Sequence, residues 1–476
     1  MPKHHEIREG LTFDDVLLVP KKSNINSRKQ VDIGIQLTTN IKLNIPIISA
    51  PMDTVVESTM AIALARLGVL GIIHRFNTIE RQVVEIKRVK RVENYFIDNP
   101  RTISPSARLK NVLDLVTETG STSYLVTTED NTLLGIICKR DYILEKNQEI
   151  LVKDLMTPFE KMICLKDFVT LEAATEFFKQ HKIEKLPVVD EDRKVKGLIT
   201  SKDVMQSTNT QAVRDGKGRL VVGAALGVKS DVFDRAAALA DAGVDIFCLD
   251  VAHGHLDLCL DTAKELKKQF PTIPLIVGNI ATTEAAEDVR KAGADVIKVG
   301  VGPGAACTTR IVTGSGVPQL TAVMDAVKGA GDVPVIADGG IKNSGDVVKA
   351  LAAGASAVMM GSLLSGTDEA PGKLTMWNGR KVKLYRGMAS FAAYDDKPKS
   401  ADDKDAADFV AEGVDQGFVP HKGSVRDVIK NLEGGIRSGF SYSGAHNLQE
   451  LWENAEFIKV SPLAFKENGA HDIATA

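Results

Sequence analysis

The residue best placed for covalent chemistry is Cys307, in the segment GVGPGAACTTR at residues 300–310. The preceding stretch, DVIKVG at residues 295–300, predicts a buried strand that ends at a glycine-rich turn. A thiol at the carboxyl end of a parallel strand, among glycines with exposed backbone N–H groups, is placed for nucleophilic attack on a ligand. The alternative is a small buried cysteine in a tight turn. The surrounding segments are needed to decide between a nucleophile and a structural cysteine.

Other polar residues follow predicted strands in the same way. Asp338 precedes two glycines and suits a ribose diol, although an aspartate before Gly-Gly also forms turns. Glycines after the last two predicted strands expose N–H groups that can bind a phosphate. A second ligand beside the first would meet polar residues from two further strands, namely Asp250, His253 and Asn279. A lone histidine such as His253 more often packs or caps a helix.

Short apolar runs recur along the chain and predict the element that positions these residues. They occupy residues 45–53, 70–75, 220–227, 245–254, 273–282, 295–304, 333–341 and 355–362. Amphipathic helical patterns fill the later intervals, at residues 232–243, 283–293 and 344–354. Eight strands alternating with helices predict a parallel (β/α)8 TIM barrel, whose active sites lie at the strand C-termini. A doubly wound open sheet is the second choice, disfavoured because no G-x-G-x-x-G follows the first strand.

About 145 residues separate the second and third predicted strands, too many for one helix. Two similar units lie between them, at residues 121–141 and 183–203, and each has two strands, a polar turn and an aspartate that opens a helix. This internal repeat predicts a domain at residues 92–206 inserted into a barrel of residues 1–91 and 207–476. The alternative is an insertion that only shapes the oligomer.

Composition excludes several classes of protein. With 476 residues, 44% hydrophobic and 25% charged, the chain can bury more than one core. Its net charge of −3 argues against specific nucleic-acid binding or a membrane surface. Five cysteines without a C-x-x-C pair predict reduced thiols and a cytoplasmic protein. We find no signal-peptide pattern and no apolar run of 18 residues.

Many ordered segments together resemble the IMP dehydrogenase/GMP reductase family. They are LTFDDVLLVP (11–20), APMDTV (50–55), GIIHRF (71–76), DVAHGH (250–255), GPGAACTTR (302–310), ADGGI (337–341), MGS (360–362), YRGMAS (385–390) and GGIRSGFSYSGA (434–445). The inserted repeat resembles a Bateman module with two CBS motifs, at about residues 98–145 and 151–206. The resemblance implies a cytoplasmic homotetramer or octamer that acts on purine nucleotides with NAD or NADP.

The resemblance also implies roles for individual residues. Cys307 forms a covalent thioimidate at purine C2, and Thr309 with Glu412 handles protons there. The substrate, IMP, XMP or GMP, contacts Asp338, Gly340, Gly361, Ser362, Tyr385, Gly387, Met388 and Glu412. The dinucleotide faces Asp250, Asn279 and Gly300. A monovalent cation, K+ by the family pattern, is held by Gly302, Gly304 and Cys307 with Glu467, Asn468 and Gly469 of a neighbouring subunit. In the Bateman module, a regulatory purine nucleotide contacts Thr200, Asp203 and Asp141, although Cys138 replaces the threonine of the first copy.

The sequence departs from the family pattern in three places, and two of them bear on the direction of the reaction. Ala305 stands where the family usually has serine, and Ala389 where dehydrogenases usually have glycine. The flap, FAAYDDKPKSADDKDAADFVAEG at residues 391–413, lacks the Arg-Tyr pair whose arginine activates water in dehydrogenases. Most segments nevertheless look more like IMP dehydrogenases, so conversion of IMP, NAD+ and water to XMP and NADH is the leading expectation. The alternatives are a GMP reductase that uses NADPH and releases ammonia, and a catalytically silent nucleotide sensor.

Overall fold

The computed structural model describes residues 7–92, 96–97, 100–167, 169, 171–206, 211–397, 410–464 and 467. The chain divides into two compact units. Residues 1–92, 211–215 and 220–476 form the first unit, and residues 93–210 and 216–219 form the second. Among the described helices, none has the length and apolar character needed to cross a membrane.

The first unit begins with short elements that lead into a parallel sheet. Its elements up to residue 92 are β1 (Val16–Leu18), β2 (Ile35–Thr38), β3 (Ile41–Leu43), β4 (Ile47–Ser49), α1 (Ser58–Arg66), β5 (Ile72–Ile73) and α2 (Ile79–Arg91). The start of α2 is fixed by Thr78, whose hydroxyl accepts a hydrogen bond from the amide of Arg81. Two 3-10 helices, Phe13–Asp15 and Arg28–Gln30, precede the sheet.

The second unit contains small sheets and short helices. Its elements are β6 (Phe96–Ile97), β7 (Thr102–Ile103), α3 (Leu109–Thr119), β8 (Ser123–Thr127), β9 (Leu133–Cys138), α4 (Lys139–Tyr142), α5 (Val152–Leu155), β10 (Thr157–Pro158), α6 (Leu171–His181), β11 (Lys185–Val189), β12 (Val195–Thr200) and α7 (Ser201–Gln206). A 3-10 helix, Phe159–Lys161, follows β10. The sheet orders are β10-β9-β8-β7 and β11-β12-β6.

The internal repeat seen in the sequence is also present in this unit's backbone. A strand, a turn, a strand and a helix occur twice, as β8-β9-α4 and as β11-β12-α7. The two hairpin turns bond reciprocally, because the amide of Leu133 donates to Arg193 O (2.9 Å) and that of Val195 to Asn131 O (3.1 Å). The two copies therefore pair through equivalent turns.

The first unit resumes after residue 219 with regular strand–helix alternation. The elements are β13 (Gly223–Leu226), α8 (Val232–Asp241), β14 (Ile246–Asp250), α9 (Asp257–Gln269), β15 (Leu275–Ile280), α10 (Thr283–Lys291), β16 (Val296–Val299), α11 (Thr309–Thr313), α12 (Gln319–Ala330), β17 (Val335–Asp338), α13 (Ser344–Ala352), β18 (Ala357–Met360), β19 (Thr375–Trp377), β20 (Arg380–Tyr385), α14 (Phe391–Asp396), β21 (Gly417–Pro420), α15 (Val425–Tyr442), α16 (Leu448–Asn454) and β22 (Phe457–Lys459).

In the described part of the chain, eight parallel strands form one sheet in the order β4-β18-β17-β16-β15-β14-β13-β5. A single parallel bridge between Ile48 and Leu70 connects its two ends, so the sheet is a nearly closed barrel. Each of the eight apolar runs in the sequence contributes one strand. The predicted α/β barrel is confirmed at this level, and the open doubly wound sheet is not observed.

Apolar side chains fill the barrel and also cover its outer face. The interior cluster includes Ile48, Ile72, Ala225, Ile246, Ile276, Val296, Ile336 and Ala357. The β2–β3 hairpin joins this cluster through Leu37 and Leu43. Hairpin residues also border a cavity beside Pro274, Asp295 and Pro334, where strands begin. The hairpin therefore covers the end of the barrel where strands start, and the opposite end remains open as the mouth.

A buried ion cluster lies at the closed end of the barrel. We call Lys90, Asp215 and Asp245 the base cluster. The Lys90 ammonium contacts Asp215 Oδ2 (2.9 Å), Asp245 Oδ1 (2.7 Å) and Leu220 O (3.0 Å). The second oxygen of Asp245 accepts the amide of Val222 at 2.8 Å. These bonds connect α2 to the segment that returns from the second unit and to the start of β14.

Candidate active site

A cavity of about 460 Å³ opens at the barrel mouth, and residues that follow strand C-termini line it. From the predicted site it includes Asp250, Asn279, Gly300, Gly302, Gly304, Cys307, Thr309, Asp338, Tyr385, Gly387, Met388 and Glu412. Parallel strands end at one edge of the sheet, so residues distant in sequence converge there. The sequence-based expectation that these residues share one location therefore agrees with the geometry.

Cys307 begins a short hydrogen-bonded series within this cavity. Its thiol donates to Thr309 Oγ1 at 3.2 Å, and the Thr309 hydroxyl donates to Glu412 Oε2 at 2.7 Å. The glycine-rich turn holds the thiol in place, because the amide of Cys307 donates to Gly304 O at 3.0 Å. A thiol, a hydroxyl and a carboxylate in series can pass a proton between a nucleophile and an acid–base group.

The segment at residues 412–414 lies between two turns and fixes this geometry. On one side, the amide of Thr308 donates to Glu412 O (2.8 Å) and that of Val414 to Ala306 O (3.0 Å). On the other side, the amide of Glu412 donates to Ala389 O at 2.9 Å. Close approach requires glycine at position 387, because a Cβ there would lie 2.8 Å from Ala306 O.

A second polar group lies deeper in the mouth. We call Lys298, Asp250, Asn279 and Asp338 the mouth cluster. The Lys298 ammonium contacts Asp250 Oδ1 (2.6 Å), Asp338 Oδ2 (3.0 Å) and Asn279 Oδ1. The Asn279 amide donates to Asp338 Oδ2 at 2.9 Å and to Gly300 O at 2.7 Å. Burial opposes the charged ammonium, but Asp250 and Asp338 raise the pKa of Lys298 above its usual value.

Some residues predicted for the phosphate lie beside the cavity rather than on its lining. Of the described residues, Gly340, Gly361 and Ser362 do not line it. Gly361 nevertheless approaches the cavity wall, because a Cβ there would lie 3.2 Å from the Tyr385 hydroxyl. Gly340 has a φ of +78°, which favours glycine. Burial raises the pKa of Tyr385 to about 12, with Asp338 adding to the effect, so its hydroxyl stays protonated near neutral pH.

The structure adds residues that were not identified from the sequence. Lys298, Arg75, Lys229, Tyr394 and Lys397 are the additions; all but Lys298 line the cavity. Burial lowers the pKa of Arg75, while Asp250 opposes this effect. The available sequence signal for Lys298 was a charged residue inside the otherwise apolar stretch VIKV at residues 296–299. Arg75 had a similar signal at the end of the second predicted strand.

Part of the predicted flap, residues 391–413, is regular structure. Its start forms α14, whose cap Ser390 accepts the amide of Ala393, and β21, which pairs with β20, follows its end. Ser390 followed by an alanine-containing segment explains the helix start. Residues 398–409 of the predicted flap lie outside the described residues.

The predicted cation ligands are only partly described. Gly302 has a φ of +86° and belongs, with Gly304 and Cys307, to the turn at the mouth. Glu467 lies in a turn, whereas Asn468 and Gly469 lie outside the described residues. Across the described part of the chain, no group of three or more His, Cys, Asp or Glu side chains is arranged to hold a metal ion.

In the second unit, the predicted nucleotide contacts follow equivalent strands. Thr200 ends β12 and is 5% exposed. Asp141 Oδ2 accepts the amide of Cys138 at 2.7 Å, which caps α4. The side chain of Asp203 lies outside the described residues.

A nearly closed (β/α)8 barrel with a thiol, an acid and one buried polar cluster at its mouth has the layout of a barrel enzyme. The family model for the IMP dehydrogenase / GMP reductase domain matches residues 10–471. This chain belongs to that family.

Both IMP dehydrogenases and GMP reductases are similar to this chain over nearly its full length. Inosine-5'-monophosphate dehydrogenase from Nitrosopumilus maritimus is 49% identical over 98% of this chain and 99% of its own length. GMP reductase from Leishmania donovani is 45% identical over 98% and 97%, respectively. A cysteine-to-alanine variant of GMP reductase from Trypanosoma brucei, in complex with guanosine 5'-monophosphate, has a TM-score of 0.83 and 42% identity over 98% of this chain and 99% of its own. These relatives of the chain are thus oxidoreductases of purine nucleotides.

Proposed function

We propose that this chain is a purine-nucleotide oxidoreductase that acts at purine C2 through Cys307. The observation that carries the proposal is the series from Cys307 through Thr309 to Glu412 in the mouth cavity. This arrangement supplies a nucleophile together with a group that can take up or return its proton. The nucleotide named for the Trypanosoma brucei structure supports a purine mononucleotide as the substrate class.

The lining residues support a binding mode for the mononucleotide. Asp338 would accept the ribose hydroxyls through Oδ1, since its Oδ2 is already bonded to Asn279 and Lys298. Met388, Gly387 and Glu412 would contact the base. The phosphate contacts would come from Gly340, Gly361 and Ser362 beside the cavity and from Tyr385 on its wall.

The proposed dinucleotide, NAD or NADP, would lie next to the same thiol. Asp250, Asn279 and Gly300 line the cavity and would face it, and Asp250 keeps one carboxylate oxygen available for a hydroxyl. When bound, the nicotinamide supplies or accepts the hydride at C2. The residues of this chain hold the ring against the substrate and keep water out of the contact.

The proton and bond changes can be followed for GMP. The Cys307 thiolate adds to C2, and a proton delivered through Thr309 and Glu412 allows the 2-amino group to leave as ammonia. The resulting thioimidate receives a hydride at C2, and the C–S bond breaks to give IMP and the free thiolate. For IMP as substrate, the Cys307 thiolate would add to C2 first, and the C2 hydride would then pass to NAD+ to leave the thioimidate. Water, losing a proton through Thr309 to Glu412, would displace the thiolate and give XMP.

We favour the reductase direction, because the flap at residues 391–413 contains no arginine. The family resemblance assigns activation of the hydrolytic water to that arginine, and loss of a general base typically slows catalysis by roughly 10²–10⁴-fold. Reduction of GMP needs no hydrolysis. The inserted repeat does not favour dehydrogenase, since the Leishmania donovani GMP reductase aligns over 98% of this chain.

IMP dehydrogenase remains the second candidate, on two observations. The Nitrosopumilus maritimus dehydrogenase is 49% identical over 98% of this chain. In addition, the Thr309–Glu412 pair, with its 2.7 Å bond, is a base that can activate water without the arginine.

Two assays with the purified chain separate the directions. GMP with NADPH should yield NADP+, IMP and ammonia in equal amounts if it is a reductase. IMP with NAD+ and K+ should yield NADH and XMP if it is a dehydrogenase. Formation of XMP without GMP reduction would reverse the favoured direction, and inactivity in both assays at saturating ligands would contradict catalysis and favour a nucleotide sensor.

We also propose K+ at the turn of Gly302, Gly304 and Cys307, completed by a neighbouring subunit within a homotetramer or octamer. The positive φ of Gly302 allows this turn to direct carbonyls toward a cation, which is the donor type that such ions prefer. Replacement of K+ by Na+ or Li+ in the productive assay should lower turnover. Turnover that is indifferent to the cation would exclude this site.

For the second unit we propose a Bateman module that binds a regulatory purine nucleotide through Thr200, Asp203 and Asp141. The duplicated strand–turn–strand–helix supports this assignment, and a related Trypanosoma brucei GMP reductase, 38% identical with a TM-score of 0.72, was solved with guanosine 5'-triphosphate. Calorimetric titration with GTP and ATP tests it. Thr200→Val should weaken binding, and absence of any binding would leave the unit as a structural insertion.

A further inference from the structure

Lys298 is a charged residue in the middle of the barrel core. Its side chain is 1% exposed and lies on β16 between strands whose ends carry Asp250, Asn279 and Asp338. An ammonium has three donors, and Lys298 directs them to one oxygen of each of these residues. Its hydrogen-bonding capacity is therefore used up within the mouth cluster.

The two aspartates, in contrast, each keep one oxygen for a ligand. Asp250 contacts Lys298 through Oδ1, and Asp338 contacts Lys298 and Asn279 through Oδ2. Among the described residues, no donor hydrogen-bonds to Asp250 Oδ2 or Asp338 Oδ1. Both residues line the mouth cavity. Lys298 thus sets the orientation of two carboxylates that present their free oxygens to the same space.

We propose that Lys298 is a positioning residue that couples the binding of the two ligands. The inference rests on the proposed function, in which Asp338 faces the mononucleotide and Asp250 faces the dinucleotide. A ligand that orders one carboxylate also orders the shared ammonium and, through it, the other carboxylate. The second ligand then binds a site that is already ordered, which is a source of positive cooperativity.

A purely structural role for Lys298 predicts a different result. Removal of one partner from a buried ion cluster destabilises a protein wherever the cluster lies. The base cluster is therefore a matched control, because Lys90 is also a buried lysine bonded to two aspartates. Asp245 directly precedes β14, and Asp250 is its last residue. Lys90→Met thus removes a similar ammonium at the opposite end of the same strand.

The test is a set of calorimetric titrations in a Cys307→Ala background, which prevents turnover. The affinity for NADPH and for NAD+ is measured with and without saturating GMP or IMP. We expect each mononucleotide to tighten its dinucleotide by roughly 5-fold or more. Lys298→Met should reduce this factor to about one, Lys298→Arg should restore part of it, and Lys90→Met should leave it unchanged.

The outcomes separate the two levels of the argument. The inference about Lys298 would be overturned if mononucleotide binding still tightened dinucleotide binding in Lys298→Met, or if Lys90→Met lost this coupling to the same extent. It would also be overturned if the chain with an intact mouth cluster showed no coupling. None of these outcomes would contradict the proposed function. Failure to bind either mononucleotide would instead count against the proposed function. If Lys298→Met does not fold, Asp250→Asn and Asp338→Asn take its place, and each must lower the coupling factor, since each weakens one half of the link.

Discussion

The mouth cluster and the base cluster share a lysine and two aspartates, but they differ in how the protein bonds the carboxylate oxygens. Each places a buried lysine between two aspartates, and Asp245 and Asp250 lie at opposite ends of β14. At the base, the two oxygens of Asp245 bond to Lys90 and to the amide of Val222. At the mouth, Asp250 and Asp338 each use one oxygen and leave the other to the cavity.

This difference indicates how a ligand site can be told from a structural ion pair. A buried carboxylate whose oxygens are all bonded by the protein has nothing left to offer a ligand. A partly buried carboxylate that a cation holds from one side, with its second oxygen facing a cavity, is preorganised for a hydroxyl. A buried lysine between two aspartates does not by itself separate the two clusters, because both contain one.

The largest expected effect distinguishes the mouth from the rest of the chain. Cys307→Ala should lower turnover by on the order of 10³-fold or more, because no other thiol lines the described cavity and the nucleophile is lost. Mononucleotide affinity, measured by calorimetry, should stay within a few fold. The matched control is Cys164→Ala, in the second unit, which should retain turnover. Residual turnover above about a percent in Cys307→Ala would remove the nucleophile from the mechanism.

Glu412 is expected to have the next largest effect. Glu412→Gln keeps the size of the side chain and removes the carboxylate that accepts the Thr309 hydroxyl, so the chemical step should slow by roughly 10²–10⁴-fold. Single-turnover rates measure this directly. The control is Asp415→Asn, which removes an exposed carboxylate three positions away whose Oδ1 caps the amide of Ala392. Equal rate losses in both variants would assign Glu412 to the local fold only.

These effects separate what the sequence could predict from what it could not. The eight strands could be predicted because each apolar run is buried on both faces, a pattern that parallel strands produce. The contact between Thr309 and Glu412 could be predicted only through the family resemblance. Lys298 was missed because a linear pattern does not reveal which side chains of a buried strand point into the mouth.

The flap and the base cluster show two further limits. The helix at Phe391–Asp396 depends on a cap and on packing of Ala393, and the sequence analysis of the flap did not identify it. Lys90 has partners 125 and 155 positions away, Asp215 and Asp245. Bonds over such distances depend on the closure of the barrel, which local sequence patterns cannot specify.

Loss of the base ammonium should affect stability rather than chemistry. Lys90→Met leaves two buried carboxylates without their cation, which typically costs about 3–5 kcal/mol of folding free energy. Denaturant unfolding measures this loss, and kcat/KM at low temperature should stay within about 3-fold, given that no ligand contact changes. Lys87→Met, an exposed lysine on the same helix, is the control. A drop in kcat/KM larger than the drop for Lys298→Met would eliminate the distinction between the clusters.

The smallest expected effect is a pH dependence of stability at the base cluster. Burial raises the pKa of Asp245 from 3.8 to about 6, although Lys90 opposes the shift. The folded state therefore binds this proton more tightly than the unfolded state does. The contribution of the protonated Asp245 carboxyl to folding stability is present in full below about pH 4 and is lost as the pH rises through about 6. Asparagine does not titrate, so Asp245→Asn serves as the reference. The unfolding free energy of the original chain minus that of Asp245→Asn should decrease as the pH rises from 4 to 7, by on the order of 2 kcal/mol.

A second aspartate provides the comparison that this last measurement needs. Asp295 also precedes a barrel strand, and its Oδ2 accepts the amide of Leu275 (2.7 Å) and the ammonium of Lys267 (2.8 Å). The side chain of Asp295 is 36% exposed, whereas that of Asp245 is 12% exposed, so water reaches the Asp295 carboxylate more freely. Unfolding curves of Asp245→Asn and Asp295→Asn at several pH values would therefore separate burial from the loss of a strand-start bond. If both variants differ from the original chain with the same pH trend, burial of Asp245 is not the cause. A trend confined to the Asp245→Asn difference would tie it to the deeper burial of that carboxylate.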